Sequence, residues 1–582
     1  MDHASAISAL FAPGRIGRLR LRNRVVLPSM TTRLADGQGF VTDEAIAYYR
    51  ARAAGGVGLV TVEMACPETA GRHRQRELGI HDDRFLPGLA RLVAAIKEDG
   101  ASACIQLGHG GGHTRADIAG EPPIAPSAIP HSVFERTNET VVPLEMTLDR
   151  IAETTMAFAA AAARAQAAGF DCVEVHGAHG YLLSQFLCPA ENRRRDAYGG
   201  ALENRARFAL DILRRTKAAV PDLPVIFRFN ANDYMPDGIG LEDALEIGRW
   251  AEDAGADALH VTAGHYRSVP DPAIMIPPMA YPEATFLGYA GAIKARVSIP
   301  VIAVGRLGDP AVAKAAVDDG CCDFVALGRP LLADPDWVAK ARAGMPVRRC
   351  IACNTCVNDM RGGARLGCLV NPAAGREAAF AEATLPKGER ILVVGAGPAG
   401  LSYAALVAGR NGNAVTVIDR AGGPGGSLRD AALAPKFQDV EAAQGPITAF
   451  IEDLERACRD AGAAIRYGVD LRSDPALARG HDRIVLATGA SYRFGLGLVA
   501  RALLEHGFGK TRLARHLFRS ERFRQWLYFN ARQATGGTLR RHVPEATKIT
   551  VIGDAAKAGK AKEAIASAYR AAHGGDAERG RD

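Results

Sequence analysis

The chain has 582 residues, of which 48% are hydrophobic and 23% charged, with 63 Gly and 31 Pro. That length is several times a common domain of about 100 to 150 residues, so at least two cores are expected and a single small binding module is excluded. Net charge is +7, yet residues 501–541 alone carry +8, which leaves the remainder at −1 and excludes a nucleic-acid binder that is basic throughout.

No apolar run approaches the roughly 18 residues of a membrane span. The opening MDHASAISALFAPGRIG has no basic segment followed by a long apolar one, so a cytoplasmic protein is expected. Seven of the eleven cysteines are scattered, whereas Cys350, Cys353, Cys356 and Cys368 lie close together. In a reducing compartment such clustering points to metal ligation rather than disulfides.

From Val25 onward, short β-rich apolar runs alternate with stretches of helical character: VVLPSM (25–30), GLVTVE (58–63), ACIQLGH (103–109), CVEVHGAH (172–179), PVIFRFN (224–230), ALHVTAG (258–264), PVIAVGR (300–306) and FVALGRP (324–330). Eight such runs within about 330 residues predict buried parallel strands and an α/β fold of the (β/α)₈, or TIM-barrel, type. Each run ends in polar or glycine-rich residues, among them Ser29-Met30-Thr31, Gln106, His176 with His179, Arg228, Gly305-Arg306 and Gly328-Arg329. In this fold chemistry sits at the C-terminal strand ends.

The glycine and arginine after strands 7 and 8 suit a phosphate, with backbone N–H from Gly and a charged fork from Arg. Gln106 can donate to and accept from a flavin pyrimidine edge, and Arg228 can offset negative charge on a reduced isoalloxazine. His176 and His179 form either a metal pair or an anion-binding pair, and the lack of a matching carboxylate motif favours the anion, such as a developing enolate. Tyr181 beside them is a candidate proton donor.

Cys350, Cys353, Cys356 and Cys368 are separated by two, two and eleven residues. This favours a cubane cluster over structural zinc, which more often uses two separated CxxC knuckles. At Arg390, ILVVGAGPAG runs from a strand through Gly395, Gly397 and Gly400, and AVTVID ends at Asp419, 22 residues after Gly397. That context predicts a Rossmann-like dinucleotide fold in which the glycines admit a pyrophosphate and the acid takes a ribose hydroxyl.

The segments RIGRLRLRNRVVLPSM, GFVTDEAIAYYRARAAGGVGL, HGAHGYLLSQF, NRRRDAYGG with LENRARF, VALGRPLLADPDW and CIACNTC with CLVNP resemble the iron–sulfur branch of the Old Yellow Enzyme family, which includes 2,4-dienoyl-CoA reductase and trimethylamine dehydrogenase. The likeness runs from about Phe11 to Ala490 and resumes at ITVIGDAAKAGKAKEAI. It implies FMN on Ser29, Met30, Thr31, Gln106, Arg228, Gly305, Arg306, Gly328 and Arg329. It further implies a [4Fe–4S] cluster on the four cysteines, and FAD on Gly395, Gly397, Gly400, Asp419, LATGA (486–490), Gly553 and Asp554. The dienoyl-CoA reductases place a His after strand 6 to assist the Tyr donor; here AGHYRS offers His265 or Tyr266 for that place. Such enzymes also carry an NAD(P)H-binding fold between the ATGA and GD motifs, where this chain has 58 residues, 491–548. Two βαβ crossovers need about 60 residues by themselves, so a shortened region is expected and GLGLVA at Gly495 reads as a turn.

The expected organisation is a TIM-barrel FMN domain (1–344), a cluster segment and linker (345–388), a Rossmann-like FAD domain (389–490), a basic aromatic insert (491–548) and an FAD-domain return with the tail (549–582). The insert sets Arg512, Arg515, Arg519 and Arg522 at helical spacing opposite Leu513 and Leu517, followed by Phe523, Trp526, Tyr528 and Phe529. It is read as a helix packed by its aromatics on the FAD domain, as a membrane-surface helix contacting the inner face, or as a docking site for an acidic redox partner. A small-molecule substrate, an electron-transfer flavoprotein or quinone as exchange partner, and a homo-oligomer are expected; nucleic acid is not. The first functional expectation is reduction of an activated C=C bond of an α,β-unsaturated carbonyl compound, with electrons passing from FAD through the cluster to FMN. The second is an amine dehydrogenase or N-demethylase passing electrons outward, against which stands His176 in place of the trimethylamine enzyme's Tyr. The third is an electron-relay subunit.

Overall fold

The computed structural model describes residues 8–132, 139–381, 385–437, 444–492, 511–520, 522, 523, 526 and 532–575. Gly495, Tyr528, Phe529 and residues 501–510 therefore lie outside the described residues. The chain divides into two compact units, Met1–Gly367 with Ala374–Ala378, and Cys368–Ala373 with Ala379–Asp582.

The first unit is built on eight parallel strands: β1 (Val25–Leu27), β2 (Leu59–Cys66), β3 (Ser102–Leu107), β4 (Cys172–Gly177), β5 (Val225–Asn230), β6 (Ala258–Thr262), β7 (Val301–Val304) and β8 (Phe324–Ala326). They pair in sequence order, and β1 also pairs with both β8 and β2, which closes the barrel. All eight expected runs are strands. Several end earlier than their runs suggest, because β1, β7 and β8 stop as soon as the chain reaches Pro28, Gly305 and Leu327.

Side chains alternate along a strand, so every second residue enters the barrel. Val26, Leu59, Cys104, Cys172, Ile226, Ala258, Ile302 and Phe324 form one buried layer, one from each strand, and Ile16 and Leu21 of the N-terminal hairpin pack onto it. Two residues further along the inward rows stand Thr61, Gln106, Glu174, Arg228 and His260, and the register sets Glu174 opposite Gln106 and Arg228 opposite His260. One end of the barrel is thus apolar and plugged, while the C-terminal end is a buried polar layer.

The second unit carries five parallel strands, β9 (Arg390–Val394), β10 (Ala414–Asp419), β11 (Ala464–Tyr467), β12 (Arg483–Leu486) and β13 (Lys548–Val551). Their order is β11-β10-β9-β12-β13, which places β9 and its glycine turn at the point where the order reverses. The helices Pro398–Val407 and Ala561–Ala572 bury Leu401, Tyr403, Ala404, Val407, Ala564 and Ala568 in its core. In the 491–548 segment, Ala490–Tyr492 pairs antiparallel with Arg532–Ala534, and Arg512–Arg519 is a helix capped by the Thr511 side chain on Ala514 N. Leu513 and Leu517 on that helix are 72% and 42% exposed and Trp526 is 49% exposed.

Candidate active site

Strand β4 delivers His176, and the loop after it delivers His179 and Tyr181. The imidazoles of His176 and His179 are 5.3 Å apart, and the Tyr181 ring is 5.2 Å from that of His176. His176 is buried and His179 half-buried, and both are held neutral: desolvation, then the Arg228 charge, pushes His176 down to about 3 and His179 well below the ordinary imidazole value. Their positions differ, however. His179 Nε2 is 3.1 Å from Thr262 Oγ1, whereas His176 Nδ1 is buried with no hydrogen-bond partner among the described residues.

The loop after β6 settles which side chain meets Tyr181. The hydroxyls of Tyr181 and Tyr266 are 2.9 Å apart. His265 turns the other way, its Nε2 3.1 Å from Glu191 Oε2, and that buried pair raises the imidazole despite desolvation. Tyr266, half-buried, is therefore the residue whose hydroxyl meets that of the expected donor, while His265 pairs with Glu191.

Gln106 donates from Nε2 to Glu174 Oε1 (2.7 Å) and accepts from Ser29 Oγ (2.9 Å). Glu174 is itself 2.7 Å from His260 Nδ1; although burial opposes its charge, His260, with Arg228 and Gln106, holds the carboxyl down at about 2. Arg228 reaches Ser29 O at 3.4 Å and its buried Nε has no partner among the described residues. Glu174 and His260 fix the orientation of Gln106, and nothing in the short apolar runs that contain them marks them out. Met30 lies against Gly328, whose added Cβ would come within 2.8 Å of Met30 Sδ; Thr31 is half-buried beside them.

After β7, Gly305 has φ of +115° and an added Cβ there would meet the Phe286 ring at 2.7 Å, so only glycine fits. Arg306 donates to Pro278 O (3.1 Å) and Arg329 to Pro277 O (2.8 Å). Burial and then the neighbouring Arg329 charge lower the Arg306 guanidinium, and Arg306 Nε is buried without a partner among the described residues. Two guanidiniums this close want an anion, and a flavin phosphate fits.

Arg329 also bonds Asn354 Oδ1 in the loop of the first three clustered cysteines. There Ala352 and Asn354 both take left-handed φ, +49° and +55°, which coils the backbone between Cys350 and Cys356. Burial raises the Cys350 thiol and, with the neighbouring Cys350 and Cys353, raises Cys356 to about 12. No group of three or more His, Cys, Asp or Glu among the described residues is arranged as it stands to hold a metal ion. The donor set of three thiols in one coiled loop nonetheless suits a sulfur-rich cluster.

In the second unit, an added Cβ at Gly395 would lie 2.3 Å from Ala487 O and at Gly400 1.9 Å from Gly395 O, while at Gly397 it would meet nothing within 4 Å. The outer glycines are thus packing requirements and the middle one faces open space, as a pyrophosphate approach requires. Both Asp419 oxygens accept backbone N–H, from Ala396 (2.6 Å) and Ala421 (2.8 Å). Gly553 has φ of +61° and receives Ser567 Oγ on its N–H, and Asp554 pairs with Arg532 and Gly559 N.

A closed parallel barrel with a paired-arginine anion cradle at strands 7 and 8 and a polar layer beneath it defines a flavin-binding TIM-barrel oxidoreductase. The chain belongs to the NADH:flavin oxidoreductase / NADH oxidase family, which it matches over residues 9–348, and it carries an NAD(P)-binding Rossmann-like domain over 393–453. It is 40% identical over 489 residues to NADH oxidase of Thermoanaerobacter brockii (83% of this chain, 73% of the relative). It is 32% identical over 520 residues to cinnamate reductase of Clostridium sporogenes (83% and 74%). The solved 2-naphthoyl-CoA reductase has the same fold, with a TM-score of 0.85 at 24% identity over 97% of this chain and 99% of that one. These likenesses place the chain in the dienoyl-CoA reductase and trimethylamine dehydrogenase-like branch of the Old Yellow Enzymes.

Proposed function

We propose that the chain is an ene reductase that saturates the activated double bond of an α,β-unsaturated carbonyl compound. The observation that carries this reading is the buried Tyr181 hydroxyl, paired with Tyr266 and flanked by His176 with an unpartnered Nδ1. FMN would be held by Ser29, Met30, Thr31, Gln106, Arg228, Gly305, Arg306, Gly328 and Arg329, a [4Fe–4S] cluster by Cys350, Cys353, Cys356 and Cys368, and FAD by Gly395, Gly397, Gly400, Asp419, Gly553 and Asp554. When bound, these groups supply hydride-level and single-electron redox chemistry.

The chain's own residues supply the rest. A neutral His176 can donate a hydrogen bond to the carbonyl oxygen as it gains enolate charge, without the cost of carrying a proton of its own. His179, tied to Thr262, fixes the loop that follows His176 and leads to Tyr181. Tyr181 gives its proton to the α-carbon, and Tyr266, hydroxyl to hydroxyl with it, is half-buried in the loop after β6 at the C-terminal rim of the barrel. The name cinnamate reductase on a relative at 32% identity agrees with an arylacrylate as substrate.

The test is anaerobic stopped-flow: reduce the enzyme with dithionite, NADH or NADPH in parallel, then reoxidise it with enones. Tyr181→Phe is expected to slow reoxidation by roughly 10²- to 10⁴-fold, the range of general-acid catalysis, while leaving flavin reduction intact. Bleaching by an amine, with no reoxidation by any enone, would replace this reading with the dehydrogenase one.

A further inference from the structure

The loop after β2, residues 66–77, carries a buried polar constellation to which the sequence assigned no role. Arg74, 1% exposed, donates from Nη2 to the Tyr266 hydroxyl at 3.1 Å and hydrogen-bonds the Tyr181 hydroxyl as well. Its Nε donates to His73 Nε2 at 3.0 Å, and His73 Nδ1 lies 3.1 Å from Glu77 Oε2. Glu77 also accepts from the backbone N–H of His73 (3.0 Å) and Arg74 (3.2 Å) and from the Cys66 thiol (2.8 Å). Glu77 is ionised and His73 neutral: its partners lower the carboxyl against burial, and burial lowers the imidazole. The tautomer follows, with N–H on Nδ1 toward Glu77 and the Nε2 lone pair toward Arg74.

We propose that Arg74, aimed by His73 and Glu77, is the charge partner of the Tyr181–Tyr266 pair and holds the phenolate that remains after Tyr181 has given up its proton. This rests on the reductase reading above. In the proton step the Tyr181 O–H bond breaks, a C–H bond forms from the electron pair of the enolate, and the O–H pair stays on the phenolate oxygen. That oxygen can draw the Tyr266 proton across 2.9 Å, and water at the rim restores Tyr266. Throughout, the negative charge sits on one of two oxygens facing the same guanidinium. Arg rather than Lys suits the task because its planar fork reaches both hydroxyls at once.

Other charged and titratable groups face the pair. His73 packs on Tyr181 with ring centroids 5.0 Å apart, His113 on Tyr266 at 5.0 Å, and the Arg361 guanidinium lies 5.7 Å from the Tyr266 ring centroid. His176 and Arg228 approach from the β4 and β5 side. Burial holds His113 at about 3 and His176 at about 3, so both stay neutral across the working range. Arg74 bonds both hydroxyls.

The experiment compares wild type, Arg74→Gln, Arg74→Lys and Tyr181→Phe. Arg74→Gln is expected to slow reoxidation by an enone about tenfold or more, with a larger solvent isotope effect, while flavin reduction by dithionite is unchanged; Arg74→Lys should recover part of the loss. A second readout needs no turnover: ¹³C NMR of Cζ-labelled tyrosine should show the Tyr181 and Tyr266 resonances displaced in Arg74→Gln and much less so in Arg74→Lys. If Arg74→Gln does not fold, the Arg74→Lys rate, isotope effect and spectrum decide alone, and values all equal to wild type overturn the proposal. Equal slowing of both half-reactions would make Arg74 a packing residue and overturn it too. A slow Tyr181→Phe beside a normal Arg74→Gln refutes this proposal and leaves the reductase reading standing; normal rates in both remove the reading itself.

Discussion

Glu63 shows how one buried acid can set both a loop and a pH dependence. It accepts from Thr32 N (2.8 Å) and Thr32 Oγ1, pinning the chain just after Ser29, Met30 and Thr31, and burial raises its carboxyl from 4.5 to about 7. A raised folded pKa means that the native state binds the extra proton between about 4.5 and 7. Stability from this group is therefore full at low pH and falls as pH rises through that window. Glu63→Gln should flatten this part of the profile, so that thermal melts of wild type and variant converge in acid and separate near neutrality; parallel curves would contradict it. For His176→Ala, loss of one enolate donor is expected to cost about 10²- to 10³-fold in turnover of every active enone, with weaker binding of phenolate-type ligands seen by difference spectroscopy. His176 and Tyr181 were legible because they stand in HGAHGY, an unusual polar string after a strand. Glu174 and His260 were not, because each is a single polar residue whose partners come from distant segments, such as His260 for Glu174.

At the scale of an element, the eight barrel strands were readable because parallel strands are apolar on both faces and their polar ends recur at regular intervals. The strand ends were placed less well, since an apolar run does not register the point where ladder pairing stops. The glycine turn after β9 was also legible, but the division of labour inside it was not. Gly400→Ala drives a Cβ into Gly395 O and should unfold or strongly destabilise the second unit, visible as loss of its thermal transition. Gly397→Ala has open space and should keep the fold while weakening flavin retention, measured by acid extraction and FAD quantification. Comparable damage from both would mean that Gly397 is also a packing residue. The choice between His265 and Tyr266 could not be made from AGHYRS, because adjacent side chains leave a loop in opposite directions and only the Glu191 pairing fixes which way round.

For the molecule as a whole, the charge of 501–541 exceeds the net charge of the chain, and Arg512 stands exposed at the start of the helix Arg512–Arg519. Electron exchange with a natural acidic carrier should therefore fall as ionic strength rises, while turnover with small dyes holds steady. Arg512→Glu with Arg522→Glu halves the segment's charge from +8 to +4 and should weaken the salt dependence; an unchanged dependence would assign it elsewhere. Iron and sulfide assay with flavin extraction should give about four irons and two different flavins per chain, and stoichiometric zinc would remove the cluster. The barrel itself is unevenly stitched. Strand β1 meets β8 and β2 over two residue pairs each, whereas β4 meets β5 over five. Such a cylinder breathes along its thinnest seam, so the amides of Val25–Leu27 should be among the first in the barrel to take up deuterium.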